Sequence, residues 1–131
     1  MTVMRVKTGL VVLATALVAL TFSATQANAQ NDALTKRGKM LWTNRGCGAC
    51  HGIGKKNAGP DLAGVEQRRP KEWLTKWLME TDVMLQSDST AIALLAEWKG
   101  IKMPKQSLSE EDVNAILAYL RSEEAKLNKK G

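Results

Sequence analysis

A chain of 131 residues with 19 Lys or Arg against 13 Asp or Glu, a formal net charge of +6, has the length of one small domain and a mild basic excess. Such an excess permits steering toward an acidic protein surface, but no dense basic stripe runs through the chain, so nucleic acid is not expected as a partner. Two cysteines and one histidine are the whole supply of thiol and imidazole groups, and no repeat or low-complexity tract is present.

Arg5 and Lys7 are followed by an uncharged, largely apolar run from Gly9 to Phe22, and Ala27-Asn28-Ala29 has the A-x-A form of a cleavage site. Residues 1–29 are therefore expected to be an export signal that is removed, leaving a 30–131 domain in the periplasm. The apolar run is shorter than the roughly 20 residues that span a bilayer, so membrane association is not expected; an uncleaved anchor is the alternative.

Four helices follow from the pattern. The first is predicted from about Asp32 to Asn44, with Leu34, Gly38, Leu41 and Trp42 on one face and Asn31 or Asp32 as cap. Cys47-Gly48-Ala49-Cys50-His51 comes directly after it. Gly52 to Arg68 holds four glycines and one proline without a clear period and reads as a loop. A second helix begins near Pro70, a good first-turn residue, and has Trp73, Leu74, Trp77 and Leu78 on its apolar face. A third spans Ser89 to Lys99, capped by Ser87 or Asp88 and stopped by Gly100. Gly100 to Ser107, which contains Met103-Pro104, is irregular. The last helix starts at Ser109, with Glu110, Glu111 and Asp112 against the positive end of its dipole. Val113, Ile116, Leu117 and Leu120 form its apolar stripe, and Lys126, Lys129 and Lys130 suit its fraying end.

The Cys47–His51 run carries the chemistry. Two thiols at this spacing can add across the two vinyl groups of a haem, and the adjoining imidazole can then supply a proximal nitrogen to its iron. Gly48 and Ala49 are small, which suits a backbone lying close to a flat macrocycle. Three other readings fit less well. A structural zinc site needs four ligands and this chain offers three, too close together for a tetrahedron. A thioredoxin-like redox pair needs a βαβ setting, and no strand-like alternation is visible. A disulfide across two residues would be strained and would close almost no loop. One covalent haem c is the expected cofactor. Export agrees with it, since bacteria attach haem to this motif outside the cytoplasm.

The order of features resembles the class I cytochrome c family over essentially the whole 30–131 domain. A helix precedes the haem motif, Gly59-Pro60-Asp61-Leu62 follows it as a Gly-Pro-x-Leu loop, Met103-Pro104 comes later, and Ile116-Leu117-Ala118-Tyr119-Leu120 looks like the family's C-terminal helix. The resemblance implies an all-α cytochrome c fold, about four helices and loops wrapped around one covalently bound haem. It implies thioethers at Cys47 and Cys50, iron ligation by His51 through Nε2, and a bond from His51 Nδ1–H to the Pro60 carbonyl. Gly38 and Tyr119 should mark the crossing of the first and last helices, with Trp42 packed beside them. A single histidine excludes a bis-histidine pair and leaves a methionine, a lysine, the N-terminal amine or an open position for the sixth ligand. Among Met40, Met79, Met84 and Met103, the resemblance points to Met103.

Arg69 and Trp73 are candidate haem propionate contacts. Lys55, Lys56, Lys71, Lys99, Lys102 and Lys105 flank the haem-loop segments and could form a docking rim for redox partner proteins. The implied function is electron transfer with no catalytic residue and no small-molecule substrate. The alternatives are a haem c subunit of a larger oxidoreductase and, in a different class, a haem peroxidase or gas-binding protein with an open sixth position. The stretch from Trp73 to Gly100 is longer and richer in Trp and Leu than compact members of the family have.

Overall fold

The computed structural model describes Gln26 and residues 28–130. The basic start and apolar run expected of an export signal lie outside the described residues. Among those described, no helix is long and apolar enough to cross a membrane. Of the first 33 residues, Gln26 and 28–33 are described and are helical.

From Leu34 onward the chain forms one unit of helices and loops, with no strand among the described residues. Its elements are α1 (34–44), α2 (Cys47–Cys50), α3 (Val65–Arg68), α4 (Lys71–Met79), α5 (Thr81–Ser87), α6 (Ser89–Glu97) and α7 (Glu110–Asn128). The fold is all-α.

α7 is the central element because its sequence satisfies both its end and its face. Ser109 Oγ accepts from Asp112 N and Asp112 Oδ2 accepts from Ser109 N, each at 3.2 Å, which closes a capping box over the first turn. Val113, Ala115, Ile116, Leu117, Ala118 and Leu120 are buried along it. Leu74 of α4 and Leu108 join Val113, Ile116, Leu117 and Leu120 in the core, with Leu41, Trp42, Leu62 and Trp73 packed against them.

α1 crosses α7 at Gly38. A Cβ on Gly38 would stand 1.9 Å from the Ala115 carbonyl oxygen, so the bare backbone is what lets the helices meet. Trp42 and Tyr119 flank the crossing with ring centroids 5.9 Å apart, and Arg37 Nη2 donates to Asp112 Oδ1 at 2.7 Å.

Three expectations need correction. The 52–68 segment is not loop throughout: Gly64, at φ 67°, turns the chain into the short helix α3. The third predicted helix ends at Glu97, because Lys99 and Gly100 take φ values of 56° and 76° and leave the helical path. No helix is expected between Met79 and Ser89, where α5 lies. Thr81 and Met84 are fully buried there, and Thr81 Oγ1 donates to the Trp77 carbonyl at 2.7 Å, tying α5 to α4. Pro70 is the N-cap of α4 and lies just outside its first turn, while α6 is capped by Asp88, whose side chain accepts from Ala91 N at 2.8 Å.

Candidate functional site

α2 is a single helical turn entered through Gly46 at φ 69°, and it brings Cys47 and Cys50 to i, i+3 positions. Both thiols are free. Burial pushes the Cys47 thiol above its ordinary pKa. The chain then leaves α2 at His51 in an extended conformation, with His51 N donating to the Cys47 carbonyl at 2.9 Å. Gly48 lies against the Trp42 indole: a Cβ there would sit 2.9 Å from Trp42 Nε1.

His51 Nδ1 is 2.9 Å from the Pro60 carbonyl oxygen. A carbonyl only accepts, so Nδ1 carries the proton and Nε2 keeps its lone pair for a metal. Gly59 permits this approach, since a Cβ there would be 2.8 Å from His51 Cε1. The loop that offers the carbonyl is held on several sides. Gly59 N donates to the Cys50 carbonyl at 2.7 Å and Leu62 N to the Gly52 carbonyl at 3.0 Å. Asp61 Oδ1 accepts from Gly54 N at 2.8 Å and Ala63 N at 2.9 Å, and Arg68 donates to the carbonyls of Asp61 and Ala63 at 2.7 and 2.5 Å.

Cys50, His51 and Pro60 line one cavity together with Met103 and Pro104. Its volume, open mouth included, is about 1190 Å³, and its wall is mostly Leu, Val, Trp and Ile side chains. Met103 is the one methionine among the described residues that reaches it. Met84 is fully buried in α5, Met79 packs on the core, and Met40 is 59% exposed.

The residues present fit a haem on three grounds. The donor set is complete: the Cys50 thiol, one imidazole nitrogen and one thioether border the same space, and the second free thiol, Cys47, stands one turn away on α2. Ile101 is 58% exposed although it lines the cavity, so apolar surface stands ready for a flat apolar guest. Finally, Trp98 also lines the cavity, and its Nε1 is buried with no hydrogen-bond partner in the protein. A buried donor left unmade is costly, and a haem carboxylate is a matching acceptor.

Trp73 Nε1 donates to Asp88 Oδ1 at 3.1 Å, and the Trp73 ring stacks on Trp77 with centroids 5.5 Å apart and planes 12° from parallel. With its one N–H engaged by Asp88, Trp73 contributes a wall to the cavity. The unpartnered Trp98 N–H was not anticipated from the sequence; its position at the end of α6, shortly before Met103, was the available signal. Arg69 lines the cavity with its guanidinium 5.7 Å from the Trp73 ring centroid, and its Nη1 donates to the Arg68 carbonyl at 2.8 Å. Of the six rim lysines, Lys102 borders the cavity and is paired with Asp82 at 2.6 Å; Lys55, Lys56, Lys71, Lys99 and Lys105 are exposed.

A family model described as Cytochrome c matches residues 35–124. Among solved structures, cytochrome c from Rhodothermus marinus superposes with a TM-score of 0.65 at 33% identity, over 72% of this chain and 80% of that one. An engineered cytochrome c from the same organism, Rma TDE, gives 0.64 at 31% identity with the same coverage of 72% and 80%. That engineered protein bound to a carbene intermediate gives 0.61 at 32%, again over 72% of this chain and 80% of its own. No curated protein matches.

Proposed function

Because the chain belongs to the cytochrome c family, whose members carry one covalent haem c, we propose that it shuttles single electrons between redox partner proteins in the periplasm. The observation that carries this reading is the placement of His51, with Nδ1 2.9 Å from the Pro60 carbonyl, on a cavity that Met103 also borders. Haem supplies a one-electron iron couple when bound.

The roles assigned to the chain's own residues follow from their chemistry. Cys47 and Cys50 would hold the haem through thioethers, and His51 would present Nε2 to the iron. The Pro60 carbonyl fixes the tautomer and orientation of that imidazole and raises its basicity. Met103 would offer a soft, neutral thioether, which favours the reduced metal and raises the potential. Leu74, Leu117 and Leu120 line the cavity with hydrocarbon and keep water from its floor. No proton acceptor is required, and the proposal includes no catalytic residue. The exposed lysines would form a rim that attracts an acidic partner in a salt-sensitive way.

An absorption spectrum tests the reading. The ferric protein should show the weak far-red band of sulfur-to-iron charge transfer, and Met103→Ala should abolish it. Ferrous protein that binds carbon monoxide readily at neutral pH would favour an open sixth position and the gas-binding or peroxidase alternative. Co-elution with a catalytic chain would favour the subunit reading over a free carrier. Removal of 1–29 would appear as a mature N-terminus at Gln30.

A further inference from the structure

The segment that carries Met103 is held by few bonds. Among the described residues, no backbone N–H or C=O of 102–108 pairs with another part of the chain. Gln106 Nε2 donates only to the nearby Pro104 carbonyl at 2.9 Å. The strap is fixed at its ends: Lys99 and Gly100 turn it out of α6 through positive φ, and Leu108 buries itself in the core beyond Ser107, at φ 49°. Between those ends its single tether to the rest of the protein, among the described polar contacts, is Lys102 Nζ to Asp82 Oδ1 at 2.6 Å.

Asp82 stands in the first turn of α5, the helix that the sequence pattern did not announce. That helix is itself rigidly seated, because Thr81 and Met84 on either side of Asp82 are fully buried. The bond to Lys102, joined by the positive charge of Lys105, holds the Asp82 carboxyl below the usual carboxylate range. One acidic group on a seated helix thus pairs with Lys102, the residue that precedes Met103.

We propose that Asp82 is a positioning residue for the iron: acting through Lys102, it latches the Met103 strap against α5 and so sets how readily the sixth ligand leaves. This rests on the reading of Met103 as that ligand. It gives the extra helical segment between Trp77 and Asp88 a purpose in the redox site. A latch exposed at both partners is weak and screened by salt, so it would tune the exchange of the ligand without being needed for folding.

The test is imidazole binding to the ferric holoprotein, followed by loss of the far-red band. Asp82→Asn and Lys102→Gln should each raise imidazole affinity about 1.5- to 5-fold, the factor that an exposed ion pair supports. The charge-swapped double variant, Asp82→Lys with Lys102→Asp, should return the affinity toward that of the unaltered protein. Added salt should raise the affinity of the unaltered protein and leave that of Asp82→Asn unchanged. An unchanged affinity in both single variants, or a double variant no closer to the unaltered protein, would overturn the latch. Met103→Ala separates the two readings. If it keeps the far-red band, the ligand assignment has failed; if it loses the band while Asp82→Asn binds imidazole normally, only the latch has failed.

Discussion

Substituting Gly38 by alanine sets two effects of known sign against each other. Alanine is the better helix former, by up to about 1 kcal/mol in a helix interior. Against that, the new Cβ would lie 1.9 Å from the Ala115 carbonyl oxygen, 2.6 Å from its carbon and 2.8 Å from Tyr119 Cβ. Two of these atoms are backbone of α7 and cannot rotate away. Ordinary contact would require α1 and α7 to separate by roughly 1.5 Å, which would loosen the Trp42–Tyr119 pair and stretch the Arg37–Asp112 bond. Overpacking usually costs about 1–3 kcal/mol, and a clash with fixed backbone belongs at the upper end. A net loss of about 2 kcal/mol should lower the melting temperature by about 8–16 °C in a domain of this size. Thermal unfolding of the holoprotein, followed by far-ultraviolet circular dichroism, measures it. Lys39→Ala, on the exposed side of the same helix, should change little. A Gly38→Ala protein that melts at or above the unaltered temperature would show that propensity outweighs the crossing, and the account of α1 against α7 would be wrong.

The remaining predictions concern charge, the imidazole and the orphan indole. The Arg37 guanidinium and the Ser109 N–H hold the Asp112 carboxyl below its usual range, so its contribution is present above the unfolded aspartate pKa and lost as pH falls through the folded value. Asp112→Asn should cost about 1 kcal/mol at neutral pH, and urea titrations should show the gap closing below about pH 4; a gap that persists in acid would rule the carboxylate out as its source. Gly59→Ala should push His51 from the Pro60 carbonyl, reduce imidazole basicity and raise the reduction potential by about 40 mV, the one-electron equivalent of a hydrogen bond of about 1 kcal/mol; redox titration checks it. Trp98→Phe keeps an aromatic ring and removes the unpartnered N–H, so it should cost the holoprotein about 1–2 kcal/mol in denaturant if a haem carboxylate accepts that bond. A neutral or stabilising result would mean that the indole has no partner.

What was legible in the sequence follows a physical division. α7 announced itself because its cap, its acidic first turn and its stripe are all properties of neighbouring residues. The juxtaposition of His51 and Pro60 was legible only through a motif, since nothing about two residues nine apart says that one ring will face the other's carbonyl. α5 was not legible for the opposite reason. Its seven residues carry few apolar side chains, and Thr81, Gln86 and Ser87 bond back to carbonyls four residues earlier at 2.7, 3.1 and 2.8 Å, a habit that also suits turns. What makes it a helix is the burial of Thr81 and Met84 against the rest of the fold, a tertiary term that no local window contains. The tryptophans make the same point for the site. Trp73 and Trp98 are chemically identical donors at the edge of one cavity, and composition cannot rank them. Asp88 decides between them: it caps α6 and, from fifteen residues away, takes the Trp73 N–H, leaving Trp98 as the indole with a bond still to make. The cap that starts α6 therefore engages the N–H of Trp73 on α4 and leaves that of Trp98, at the far end of α6, without a protein partner, and an Asp88→Ala protein in which Trp73 and Trp98 become interchangeable donors would be the direct sign of that coupling.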